Sequence, residues 1–170
     1  MTVAICVGSE NDLAVMSTAA DVLGQLAVPY QVHVMSAHRT PSRMLEFALG
    51  ASQAGVRVII AAAGGAAHLP GMMAAATLLP VIGVPIPTSS LGGMDSLLSI
   101  VQMPSGIPVA TVAIGQATNA ALLAAQILAL GDPDLATRLG ARRAETQRQV
   151  IEASERIEAL YARKQAEPVA

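Results

Sequence analysis

Continuous apolar runs rich in valine, isoleucine and alanine alternate along the chain with stretches whose apolar residues recur every three to four positions. The runs predict strands near residues 3–8, 30–35, 57–62, 81–84 and 108–114. They lack an apolar–polar alternation, so strands buried on both faces of a parallel sheet are expected. The periodic stretches predict helices over about 12–26, 41–54, 67–79 and 117–130, with a short helical segment near 94–103. In the first, Val15, Ala19, Val22 and Leu23 share one face. The second opens with Thr40 at the N-cap and Pro41 at the first helical position, the preferred residues for those places.

Regular strand–helix alternation with short loops predicts an α/β three-layer αβα sandwich, and five parallel strands suit a flavodoxin-like order. The helix over 117–130 offers solvent only Thr118, Asn119 and Gln126. A helix that apolar must be covered on more than one side. The sheet covers one side, so a second subunit is expected on the other, making the protein a homo-oligomer. After Gly131, Asp132-Pro133 reads as an N-cap and first helical residue, opening a long charged helix. Its apolar stripe is Leu135, Leu139, Val150, Ala153, Ile157 and Leu160, and Glu152 with Arg156 forms a favourable i,i+4 spacing. The expected organisation is a single domain over 1–170: an α/β core over 1–131 and a C-terminal helix over 132–165 packing on a neighbouring subunit.

Charge sharpens this picture. From Val58 to Gly131, 74 residues, the only Asp, Glu, Lys or Arg is Asp95, whereas the last 39 residues hold 14 of the 22 charges. With a mean hydropathy of +0.54, the uncharged stretch invites a membrane reading. A spanning helix needs about 20 mostly apolar residues. Here Gly64-Gly65, Pro70-Gly71, Pro80, Pro85 and Pro87 interrupt every candidate, so no membrane association is expected. A strand-like run close to Met1 without a basic, apolar leader points to a cytoplasmic protein. Net charge −2 gives no basic footprint, and Tyr30, Phe47 and Tyr161 are the only aromatics, so nucleic acid is not an expected partner. Lys164 is the sole lysine and lies in the terminal tail, which disfavours a lysine-ended phosphate loop and Schiff-base chemistry. Cys6, alone inside an apolar run, reads as a small buried hydrophobe. Three histidines without ligand spacing do not suggest zinc, so no metal and no cofactor are expected.

In an open parallel sheet, ligands bind beyond the carboxyl ends of the strands. Three loops expected there carry unusual residues. Gly8-Ser9-Glu10-Asn11-Asp12 allows close backbone approach at a helix start, and Asp12 suits both a capping role and acceptance of sugar hydroxyls. Ser36-Ala37-His38-Arg39-Thr40-Pro41 sets a hydroxyl, an imidazole and a permanent cation together. Arg39 has the planar donor fork that suits phosphate, and His38 can take and return a proton. Gly64-Gly65 offers backbone N–H groups to an anion in a dry setting. His68 fits either an interface histidine or a site residue. The residues alone thus give a phosphate-bearing small ligand and one proton-transfer histidine, without naming a reaction.

Taken together, Gly8-Ser9-x-x-Asp12, Ser36-Ala37-His38-Arg39-Thr40-Pro41, the block Ala61-Ala62-Ala63-Gly64-Gly65-Ala66-Ala67-His68-Leu69-Pro70-Gly71, and Asp95 through Pro104 resemble the 5-(carboxyamino)imidazole ribonucleotide mutase family of purine (IMP) biosynthesis. The resemblance covers residues 3 to about 140. It implies a flavodoxin-like fold, usually octameric, and a cofactor-free isomerase moving a carboxylate from an exocyclic nitrogen to a ring carbon. Carried over by position, it implies substrate binding by Ser9, Asp12, Ser36 and Arg39, with Asp12 on the ribose and Ser36 and Arg39 toward the phosphate. It makes His38 the general acid/base and gives Gly64 and Gly65 the freed carbon dioxide.

The sequence departs from the family pattern where Asn11 replaces a usual Ser and Leu13 a usual Trp, and the segment 115–119 is about two residues short. A related class that carboxylates aminoimidazole ribonucleotide directly with carbon dioxide shares the short loop. That class usually carries Lys at the position of Arg39 and lacks the Gly-Gly-Ala-Ala-His-Leu-Pro-Gly block, so the mutase resemblance leads. A flavodoxin-like nucleotide-binding module is the remote alternative, disfavoured by the scarcity of aromatics for stacking.

Overall fold

The computed structural model describes residues 1–166. Five strands, β1 (Thr2–Val7), β2 (Tyr30–Val34), β3 (Val56–Ala63), β4 (Val81–Pro85) and β5 (Ala110–Thr111), alternate with six helices. These are α1 (Leu13–Gln25), α2 (Pro41–Gly50), α3 (Leu69–Ala76), α4 (Met94–Val101), α5 (Ala117–Ala129) and α6 (Pro133–Ala166). All strand pairs are parallel and the order is β2-β1-β3-β4-β5. This is the doubly wound order expected for five strands with helices on both faces.

The strand periodicity of two divides the core. Val3, Ile5 and Val7 point with Val58, Ile60 and Ala62 toward α1 and α5, while Ala4 and Cys6 point with Ile59, Ala61 and Ala63 toward α2 and α3. Ile5, Ile59, Ile60 and Ile82 are fully buried, each stabilising the fold by roughly 1.5–3 kcal/mol relative to exposure. Cys6 is buried as expected, and burial pushes its thiol up to about 12. Gly83, in the middle of β4, lets α4 press onto the sheet: a Cβ there would stand 2.4 Å from Ile100 Cγ2.

Several expectations need correction. Only the inner strands are buried on both faces, because β2 lies at the edge and leaves Val32 and Val34 nearly half exposed. Apolar composition reports hydrophobicity and not place in the sheet. β5 is shorter than 108–114, since only Ala110 and Thr111 pair with Ile82 and Gly83, and Pro108 has no N–H to give a ladder. Thr40 stands at the N-cap of α2 but does not cap it. Its hydroxyl accepts from Ser36 N–H at 2.9 Å and donates to the Ser36 carbonyl at 3.1 Å, closing the preceding loop instead.

Coverage of α5 also differs from expectation. The sheet, α1 and the start of α6 in the same chain bury Ala117, Ala120, Ala121, Ala124, Ala125 and Leu128. Asp132 does cap α6, accepting from Leu135 N–H at 3.0 Å. Leu135 is buried, and Arg138 Nε donates to the Leu26 carbonyl at 2.8 Å. Farther along α6, Val150, Ile151, Ile157 and Leu160 are exposed. Among the described residues, the ion pair of this helix is Arg148 with Glu145 rather than Glu152 with Arg156. Among the described residues, no helix is long and apolar enough to cross a membrane.

Candidate active site

Strand order places the site. β1 and β3 are neighbours whose following helices lie on opposite faces of the sheet, so their C-terminal ends open a crevice of about 310 Å³. Ser9, Asp12, Ser36, His38, Arg39 and Gly64 all line it, together with His68.

The first loop is built by reciprocal capping. Ser9 N–H donates to Asp12 Oδ2 at 3.0 Å, while Ser9 Oγ accepts from Asn11 N–H at 3.3 Å. Asp12 makes no side-chain capping bond at the start of α1; its carboxylate instead closes back on Ser9, which caps the short 3-10 turn over Glu10–Asp12, and it still lines the crevice. Burial pushes its carboxyl above the ordinary value, against the opposing pull of the Ser9 and Gly8 amides and the Arg39 charge. Leu13, where the family pattern has Trp, packs partly buried against the core, and Asn11 is exposed.

The second loop holds Arg39 from two sides. Ser36 Oγ accepts from Arg39 N–H at 3.2 Å and Nε at 3.4 Å, and Arg39 Nη2 donates to the Gly8 carbonyl at 3.1 Å. Those contacts fix the guanidinium across the β1 and β2 loops and leave its other N–H groups and the Ser36 hydroxyl hydrogen for a ligand.

His38 Nε2 and His68 Nδ1 are 2.7 Å apart, with the rings edge to face. One nitrogen donates and the other accepts, which couples the two rings. His68 was legible as a histidine in a dense motif, but a partner thirty positions upstream has no signature in local sequence.

The third loop separates its two glycines. Gly64 lines the crevice, whereas Gly65 N–H turns away to donate to Ser96 Oγ at 2.9 Å. Asp95, the lone charge of the apolar stretch, accepts from Thr88 Oγ1 at 2.8 Å. A larger groove of about 870 Å³ between α5 and α6 has Leu122, Leu130 and Leu139 in its lining but brings no such set of reactive groups together. Among the described residues, no three or more of His, Cys, Asp and Glu gather as metal ligands.

The chain is similar to known proteins over most of its length. The AIR carboxylase family profile covers residues 2–149. The N5-carboxyaminoimidazole ribonucleotide mutase of Bacillus subtilis is 57% identical over 157 residues, covering 91% of this chain and 97% of that one. The mutase of Thermotoga maritima is 52% identical over 158 residues, covering 93% and 92%. The crystal structure of Treponema denticola PurE superimposes with a TM-score of 0.82 at 27% identity, covering 91% of this chain and 97% of that one. With the profile spanning most of its length, the chain belongs to the AIR carboxylase family.

Proposed function

We propose that the chain is an N5-carboxyaminoimidazole ribonucleotide mutase of purine biosynthesis, converting 5-carboxyamino-1-(5-phosphoribosyl)imidazole to 5-amino-1-(5-phosphoribosyl)imidazole-4-carboxylate without a cofactor. The activity follows from relatives of that name at more than half identity over nearly the whole chain. The observation that carries the chemistry is the His38–His68 pair beside Arg39 in one crevice.

Proton balance dictates what His38 must do. The substrate bears its carboxylate on the exocyclic nitrogen and a hydrogen on the ring carbon; the product exchanges them. His38 first gives a proton to the nitrogen as the N–C bond breaks and carbon dioxide leaves. The π-electrons of the resulting aminoimidazole then attack carbon dioxide through the ring carbon. His38 finally takes the proton from that carbon, restoring aromaticity and its own starting state. His68, hydrogen-bonded to it at 2.7 Å, orients the ring. Arg39 and Ser36 take the phosphate, Asp12 accepts the ribose hydroxyls, and Ser9 donates to the substrate. Gly64 forms the wall beside the carbon dioxide.

Carbon dioxide must be kept from escape and hydration, yet His38, Arg39 and Gly64 are exposed in one chain. We take closure to come from assembly into a homo-oligomer, an octamer by family resemblance. The exposed Val32 and Val34, the bare stripe of α6 and the apolar groove between α5 and α6 support it. On this reading residues 1–170 are one domain whose C-terminal helix, over 132–165, packs on a neighbour. Nucleotide synthesis from small phosphorylated intermediates supports a cytoplasmic location.

The deciding experiment is product analysis. Purified protein given the carboxyamino ribonucleotide should yield the 4-carboxylate rapidly. Fast turnover supported only by aminoimidazole ribonucleotide and free carbon dioxide would overturn the mutase reading in favour of direct carboxylation.

A further inference from the structure

Behind the crevice lies a polar group that the reaction has not used. Ser96, on α4, is 0% exposed and is, with Asp12, one of the two buried polar residues among those described. Its hydroxyl is fully engaged: it accepts from Gly65 N–H at 2.9 Å and donates to the Ile86 carbonyl at 2.7 Å. One helical turn later, the single hydroxyl hydrogen of Ser99 is shared between the Asp95 carbonyl at 2.8 Å and the Gly65 carbonyl at 3.2 Å. The peptide groups on both sides of Gly65 are thus held from α4.

Gly65 has φ +67° and nothing within 4 Å of where a Cβ would be. The hydrogen bonds from Ser96 and Ser99 hold this left-handed turn from α4, alongside the backbone bonds from Ile86 N–H to the Ala63 carbonyl and from His68 N–H to the Ala66 carbonyl. Gly64, the neighbouring residue, is the one facing the crevice. We propose that Ser96 is a positioning residue for carbon dioxide retention: its hydroxyl locks the Gly65 peptide so that Gly64 stays closed against the freed molecule. The inference rests on the decarboxylation and recarboxylation reading given above. A simple anchor between α4 and the sheet would stabilise the fold without changing the fate of carbon dioxide, and that difference is measurable.

The test is a single turnover with substrate labelled in its carbamate carboxyl group, in excess unlabelled bicarbonate. Wild-type protein should pass the label into the 4-carboxylate. Ser96→Ala should release about tenfold more label to solvent and slow product formation by a similar factor, less than the roughly hundredfold that a full ångström of misplacement costs. Ser99→Ala, at an exposed position, should leak in the same direction by a smaller factor. Thermal melting of each variant shows that it is folded. Label retention by folded Ser96→Ala equal to wild type overturns the proposal, whether or not turnover slows. If Ser96→Ala does not fold, full retention by Ser99→Ala overturns it. Wild-type protein that makes no product from the carboxyamino substrate, or that loses all label, refutes the underlying reading before either variant is compared.

Discussion

The loops after β2 and β3 face each other across the crevice and are built in opposite ways. Residues 36–40 carry their chemistry on side chains and hold themselves in place, with Ser36, Arg39 and Thr40 bonded to one another within five positions. Residues 64–67 are two glycines and two alanines, with no side-chain chemistry at all, and Gly65 is held by serines 31 and 34 positions away. One loop supplies reactive groups and the other supplies shape. The difference teaches that a locally bonded loop shows its purpose in its residues, whereas a loop acting through backbone shape depends on distant ones. The His38–His68 hydrogen bond is where the two meet.

The largest effect should come from the side-chain loop. His38→Asn should cut kcat by about 10²–10⁴ while leaving ribonucleotide binding intact, since it removes proton transfer but no phosphate or ribose contact. Steady-state kinetics with a binding titration check this, and retained turnover would end the assignment of His38. Arg39→Lys keeps the charge but loses the fork that spans Ser36 and the Gly8 carbonyl. It should lower kcat/KM roughly ten- to hundredfold, the worth of a hydrogen bond to a charged group, mainly through KM.

The shape loop should respond differently. Gly65→Ala adds no clash, but a residue with a Cβ in the left-handed region costs roughly 1–2 kcal/mol. The urea midpoint should fall accordingly, and kcat should drop with little change in KM. A change confined to KM would break the contrast between the two loops.

The smallest effect concerns Asp12, which joins the first loop to its helix. Because burial raises its carboxyl above the ordinary 3.8, the folded state holds the proton more tightly than the unfolded chain. Its contribution to stability therefore declines as pH rises from the ordinary value through the raised one, and is level above that. Urea denaturation of wild type and Asp12→Asn from pH 4 to 7 should show wild type losing ground over that window. Parallel curves would remove burial as the dominant influence on this carboxyl.

Much of this protein follows from its sequence. Apolar runs and three-to-four spacing determined the strand and helix series, because periodicity reflects burial in each element's immediate surroundings. The Ser36–Pro41 block announced the proton-transfer and phosphate groups, since their chemistry resides in the residue types themselves. Tertiary structure decided what no local window contains. It set β2 at an exposed edge, covered α5 with α1 and α6 of its own chain, and gave Asp95 its partner in Thr88. It also brought His68 to His38 and tied Gly65 to Ser96. The physical reason is common to all of these. Hydrophobicity and residue chemistry are properties of single positions, but a hydrogen bond or a covered face requires two, and only the packed sheet and its helices determine which two meet.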